Sequence, residues 1–196
     1  TEHTLSLHDA LPILFRGFGP AVIALSGVMA LAAAAAQSAG ALPDDAPMPF
    51  LLVWIVVAIA SGALIGIEMR ARTLRQHSGL ADVMLLNAVE HFLPFGAVGA
   101  VIAAIIMRNA PELAWLLPGL WQLLVGLGLF AATRFLPRTV MLAAAWYLIA
   151  GAVVLTLTSS TRGLDPWSMG LPFGVGQLIL AVILRNAEGE ADAEDE

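Results

Sequence analysis

The stretch "MPFLLVWIVVAIASGALIGI" (48–67) decides the fold class of this 196-residue chain. It contains no charged side chain, and a helix of that length is about 30 Å long, the thickness of the hydrocarbon core of a bilayer. The whole chain is 59% hydrophobic and 12% charged, which is half the charge of a soluble domain, at roughly 25%. Apolar and polar residues do not alternate along the run, so the pattern predicts a membrane-spanning helix and excludes a β-barrel strand.

Five further apolar runs lie on either side of this stretch. The predicted spans are 20–37, 48–67, a segment within 84–107, 113–133, 139–158 and 166–184. We therefore expect an all-α, polytopic membrane helix bundle of about six transmembrane helices. Residues 14–185 are predicted to form its single domain.

The arginines predict how the bundle is oriented. With the N-terminus in the cytoplasm, seven arginines fall on the cytoplasmic side: Arg16, Arg70, Arg72, Arg75, Arg134, Arg138 and Arg185. The opposite side carries Arg108 and Arg162. This distribution satisfies the positive-inside rule and places both termini in the cytoplasm. The expected location is the bacterial inner (cytoplasmic) membrane, crossed several times.

The two ends of the chain differ from its body. The segment "TEHTLSLHDALPI" (1–13) resembles translated sequencing-adaptor DNA, so we expect it to be non-native or disordered; the alternative is an ordinary polar N-terminal segment. Residues 186–196 hold six acidic and no basic residues, which accounts for the net charge of −6, and we expect a disordered acidic tail. No basic cluster indicates nucleic-acid binding.

The tetrapeptide LPFG occurs at 93–96 and again at 171–174. Each copy interrupts an apolar run with a proline and a glycine, which has two interpretations. Broken helices in the two halves of an inverted repeat form ion sites in several transporters. Alternatively, each motif is a kink that lets its helix pack closely against a neighbour. Helices two and five do not align at the offset between the copies, which favours the second interpretation.

Candidate polar residues cluster before the first copy. On a helical wheel, Asn87, Glu90 and His91 share one arc. Glu90 and His91 are adjacent, so their side chains point about 100° apart and cannot hold one ion together. Glu90 is either a boundary residue paired with a loop arginine or a group that handles protons or a ligand. The chain has no cysteine, and we expect no metal site and no cofactor.

Other intramembrane candidates are predicted to connect helices. Gln122 and Gln177 can form hydrogen bonds between helices. Small residues that allow close helix packing, within one chain or across a homodimer, are Gly62, Gly66, Gly96, Gly99, Gly170 and Gly174. The HExxH, GxSxG and phosphate-loop motifs are absent from the sequence.

Three segments carry a family resemblance: "LLPGLWQLLVGLGLFAATRFLPR" (116–138), "AAAWYLIAGAVVL" (143–155) and "DPWSMGLPFGVGQLILAVIL" (165–184). They resemble a family of uncharacterised bacterial six-helix inner-membrane proteins of about two hundred residues. Members are often encoded beside small winged-helix regulators, which implies a regulated or stress-linked role. The resemblance implies no activity and assigns no functional residues.

Three functions are consistent with the sequence. The first is a non-enzymatic structural or regulatory membrane component that acts through helix packing or a partner. The second is a small-solute or ion transporter, which a polar, water-accessible cavity at the bilayer midplane would favour. The third is a membrane enzyme that uses Glu90 or His91. The partner expected in every case is the lipid bilayer.

Overall fold

The computed structural model describes residues 19–42, 46–75, 81–133 and 138–194 of the chain. These residues form α1 (Pro20–Ser38), α2 (Pro47–Arg75), α3 (Ala81–Asn109), a 3₁₀ helix (Pro111–Leu116), α4 (Leu117–Ala132), α5 (Val140–Thr161) and α6 (Pro166–Glu194). Proline is the first residue of α1, α2, α6 and the 3₁₀ helix. At that position a proline gives up no hydrogen bond, and its fixed φ already suits the helix.

Six stretches are long and apolar enough to cross a membrane. They are Pro20–Ser38, Pro47–Ala71, Phe92–Asn109, Pro111–Ala132, Val140–Thr161 and Pro166–Ala187. Each corresponds to one of the predicted spans. The predicted all-α bundle of six spanning helices is therefore confirmed, and this is the architecture of a multi-pass integral membrane protein.

Three helices are longer than the sequence pattern suggested: α2 continues to Arg75, beyond the predicted end at 67. α3 begins at Ala81 and continues through Pro94. α6 continues beyond residue 184 to Glu194, into the acidic segment that was predicted to be a disordered tail. Alanine and glutamate, which dominate that segment, are good helix formers, which favours its helical conformation. The N-terminal segment 1–13 lies outside the described residues.

Two helix pairs form the centre of the bundle. The most extensive contact is between α1 and α6, the next is between α4 and α5, and α5 also contacts α6. Both close pairs are antiparallel and meet at glycines. A Cβ atom at Gly27 of α1 would lie 2.9 Å from the Gly174 carbonyl oxygen of α6. In the second pair, a Cβ atom at Gly151 would lie 2.8 Å from the Gly119 carbonyl oxygen.

Helices α2 and α3 flank this centre. Only 6% of the α3 span is buried, compared with 44% of the α6 span. α2 contributes Phe50, Leu51 and Trp54 to a buried cluster that also includes Leu117 and Met169. Side chains that meet between α1, α4, α5 and α6 are thus the most enclosed in the described part of the molecule.

Candidate functional site

The second LPFG copy lies inside α6, where Pro172 interrupts the helix hydrogen-bond pattern. A proline has no N–H, so the carbonyl four residues earlier loses its helical partner. In α6 that carbonyl belongs to Ser168. No water is present in a bilayer core to replace the missing donor, and an unpaired carbonyl there is costly.

Gln122 of α4 supplies the missing donor. Its side-chain Nε2 donates a hydrogen bond of 2.7 Å to the Ser168 carbonyl oxygen. The Gln122 side chain is fully buried, and the bond connects α4 to α6 across the bundle. Gln122, predicted as a residue that connects helices, therefore lies where Pro172 interrupts the hydrogen-bond pattern of α6.

α5 contributes two more donors to the same bend. The indole Nε1 of Trp146 donates to the Pro172 carbonyl oxygen at 2.9 Å. The Tyr147 hydroxyl donates to the Phe173 carbonyl oxygen at 3.5 Å, and the two rings lie 5.5 Å apart between centroids. The Tyr147 hydroxyl is also a hydrogen-bond partner of the Gln177 side chain. We call Gln122, Trp146, Tyr147, Ser168 and the second LPFG (171–174) the α6 bend site.

Glycines close the α6 bend site on the side of α1. A Cβ atom at Gly174 would lie 2.5 Å from Cγ of Leu31. A Cβ atom at Gly170 would overlap that of Ala34 and lie 3.1 Å from the Ala30 carbonyl oxygen. A side chain at Gly170 would require α1 to move, whereas one at Gly174 would first displace the Leu31 side chain. The bend is thus enclosed by α1, α4 and α5 together.

The first LPFG copy has different surroundings. Leu93, Pro94 and Gly96 are exposed, and nothing in the described part of the chain lies within 4 Å of a Cβ atom built on Gly96. Contacts in this region come from Phe92 and from Phe95, the third residue of the motif: a Cβ at Gly128 of α4 would lie 3.3 Å from each of the two rings.

One hydrogen bond joins α3 to α4 beside the first copy. Trp121 Nε1 donates a hydrogen bond of 3.1 Å to the carbonyl oxygen of Gly99. Gly99 is buried and packs against the same indole ring. Gly62 of α2 is exposed and has open space around it, whereas Gly66 is half-buried. A packing role for Gly62 and Gly96 stays a prediction. Because nothing in the described part of the chain lies beside them, that role requires a second copy of the protein.

The polar residues predicted before the first copy stay a prediction. Asn87, Glu90 and His91 belong to α3, but their side chains lie outside the part of the chain that the structure describes. Among the described residues, no three His, Cys, Asp or Glu side chains are grouped as metal ligands.

The α6 bend site can form hydrogen bonds, but it holds no carboxylate or imidazole for proton transfer. Two buried amide oxygens, Gln122 Oε1 and Gln177 Oε1, have no hydrogen-bond partner in the described part of the chain. Each can accept a bond from a water molecule. The arrangement of donors on carbonyls therefore holds helices in place and is not suited to acid–base chemistry.

Sequence reasoning missed Ser168, Trp146 and Tyr147. One signal was available: counting four residues back from Pro172 identifies the Ser168 carbonyl as the group that needs a donor. Which helix provides that donor depends on tertiary packing. Trp146 and Tyr147 gave no signal, because aromatic residues are ordinary in an apolar helix.

Comparison with known proteins was made at three levels. No protein-family model, no curated protein and no solved structure matches the chain. The geometry of the α6 bend site is therefore the basis on which a function is assigned.

Proposed function

We propose that this chain is a non-enzymatic component of the bacterial inner membrane, in which a fixed helix bundle serves a structural or regulatory role. The observation that carries the proposal is the hydrogen bond from Gln122 to the Ser168 carbonyl. A proline-broken helix in a transporter offers its freed carbonyl to an ion or substrate. Here a protein side chain already occupies that carbonyl.

The packing of the central helices supports the same proposal. Gly119 and Gly151 face each other between α4 and α5, and a Cβ on Gly119 would lie 2.9 Å from the Gly151 carbonyl oxygen. Gly27, Gly170 and Gly174 bring α1 and α6 equally close. Because the backbones touch at these glycines, no solute path fits between the two helices of either pair. Sliding one helix along the other would bring larger side chains into the positions of the glycines, where they would collide.

Accessibility to a charged thiol reagent tests the proposal, and the chain's lack of cysteine makes the test clean. Ser26 and Val154 are buried in α1 and α5. Cysteines placed there should remain unreacted with a charged methanethiosulfonate reagent applied to either side of membrane vesicles. Rapid reaction of Ser26→Cys or Val154→Cys would reveal a water-filled path and favour the transporter.

Two control positions define what the reagent reports. Gly163 is exposed in the loop between α5 and α6, so Gly163→Cys should react. Leu157 is 68% exposed but lies within the α5 span, where lipid surrounds it. Leu157→Cys should therefore stay unreacted, which separates exposure to lipid from exposure to water.

The proposal includes an orientation, with both termini in the cytoplasm as the arginine distribution predicts. Exposed arginines near the membrane faces provide the test. Arg162→Cys should react with an impermeant reagent added outside intact cells, whereas Arg70→Cys and Arg138→Cys should react only after the cells are opened. The opposite labelling pattern would invert the orientation and leave the fixed-bundle proposal unaffected.

A further inference from the structure

A groove of about 250 Å³ lies apart from the α6 bend site. Its walls come from three places: the start of α2 at Ala46 and Pro47, the 3₁₀ helix from Pro111 to Trp115, and the α5–α6 loop at Arg162 and Leu164. In a chain that crosses the membrane six times, these three segments emerge on the same face. The groove is therefore at the ends of the spans, where hydrocarbon gives way to lipid headgroups and water.

Among the described residues that line the groove, one side chain carries a negative charge and one a positive charge. Glu112 and Arg162 both line it and are both exposed. The remaining lining residues, such as Pro47, Ala114 and Leu164, are apolar. Trp115 also lines it, and tryptophan is favoured at the level of the headgroups. An inorganic anion would be attracted by Arg162 and repelled by Glu112, so the pair suits a ligand that carries both charges.

The backbone at Arg162 is a second unusual feature. Arg162 has φ 50° and ψ 26°, and it is the one residue other than glycine with a positive φ in the described part of the chain. The left-handed conformation favours glycine, but here arginine adopts it and the glycine, Gly163, is the following residue. The Arg162 N–H donates to the Thr158 carbonyl at 2.7 Å, which closes the end of α5. This is a common way for a helix to end, here with arginine where glycine is usual, and it fixes the Arg162 backbone beside the groove.

We infer that this groove binds the headgroup of a zwitterionic phospholipid with a primary ammonium, of the phosphatidylethanolamine class. Arg162 binds the phosphate through its guanidinium, and Glu112 accepts hydrogen bonds from the ammonium. Pro47 and Leu164 contact the glycerol region. The volume lies just below the range of small-molecule pockets, roughly 300–1,000 Å³, and suits a headgroup whose acyl chains remain in the bilayer.

The test uses the full chain, purified from vesicles with equal amounts of phosphatidylethanolamine, phosphatidylcholine and phosphatidylglycerol. Native mass spectrometry counts the lipids that each protein retains. The parent should retain phosphatidylethanolamine in excess of the other two. Arg162→Gln should reduce that retention roughly tenfold, because a charge-assisted hydrogen bond contributes about that much affinity. Glu112→Gln should abolish the preference for phosphatidylethanolamine over phosphatidylglycerol.

Arg108→Gln is the matched control. Arg108 is exposed near the end of α3 on the same face but does not line the groove, so the variant removes the same charge and should leave lipid retention unchanged. An equal loss in the Arg108 and Arg162 variants would overturn the inference in favour of general surface charge. Unchanged retention in Arg162→Gln would also overturn it.

Two further arms separate binding from folding and lipid from free solute. Arg162→Gly removes the guanidinium but suits the left-handed backbone, so it should melt no lower than the parent while retaining about tenfold less phosphatidylethanolamine. Full retention by this variant would contradict a role for the guanidinium. Phosphoethanolamine without acyl chains should compete poorly; if it binds as tightly as the lipid, the ligand is a soluble phosphate ester and the lipid assignment is wrong.

Discussion

The two LPFG copies have the same four residues and opposite surroundings. In α6, side chains from α4 and α5 donate to the carbonyls of Ser168, Pro172 and Phe173, and Gly174 contacts Leu31 of α1. In α3, Gly96 has open space around it, and Pro94 is exposed whereas Pro172 is buried. The comparison shows that a proline–glycine interruption does not define a role by itself. Its role depends on which neighbour donates to the carbonyl that the proline leaves free, and on which neighbour packs against the glycine.

The largest difference between the copies is expected at their glycines. Gly174→Leu should lower the free energy of unfolding by roughly 1–3 kcal/mol, because the new side chain collides with Leu31 of α1. Gly96→Leu, the matched change in the first copy, should alter stability little, since the space around it is open. Equilibrium unfolding in mixed detergent micelles measures both. Equal losses would mean that a second molecule covers Gly96, as the homodimer expectation requires.

The second difference concerns the carbonyl that each proline frees. Gln122→Leu should cost about 1–2 kcal/mol, because it leaves the buried Ser168 carbonyl without a donor. Pro172→Ala restores an N–H that can serve the same carbonyl. In a Pro172→Ala background, Gln122→Leu should therefore cost clearly less than it does alone.

A double-mutant cycle with the other proline is the control for this coupling. Pro94→Ala likewise restores an N–H, but in α3, whereas the side-chain bond of Gln122 is to the Ser168 carbonyl of α6. Its effect should add to that of Gln122→Leu without interaction. If Pro172→Ala is likewise additive, the bond from Gln122 does not compensate for the proline, and the account of the bend site is wrong.

The smallest expected effects concern the indoles beside the two motifs. Trp146→Phe removes the donor to the Pro172 carbonyl, and Trp121→Phe removes the donor to the Gly99 carbonyl. Each carbonyl is also a helical acceptor, so each loss should be about 0.5–1.5 kcal/mol. We expect the Trp146 variant to melt at the lower temperature, since α6 is more buried than α3. A lower melting temperature for the Trp121 variant would show that the first copy is held as firmly as the second.

Some of the α6 bend site was within reach of sequence reasoning, but most of it was not. Gln122 and Gln177 stood out as amides within apolar runs, and Pro172 implied that a carbonyl needs a donor. The glycines of α1, α4 and α5 that bring backbones together, such as Gly27, Gly119 and Gly151, gave no comparable signal. Glycine is common in membrane helices, and only the neighbour across the contact shows which one matters.

The number of spanning helices and the approximate position of each apolar span follow from the sequence alone. Hydrophobicity and helix length act locally: an uncharged run such as 48–67 must satisfy its own backbone in lipid, and proline marks where most helices begin. That α6 is central and α3 peripheral depends on tertiary packing and is visible only in the folded molecule. Identical tetrapeptides cannot differ in intrinsic preference, so the difference between them arises from the helices packed around each one. Pro172 and Gly174 are buried among α1, α4 and α5, whereas Pro94 and Gly96 are exposed and Phe95 contacts α4 at Gly128.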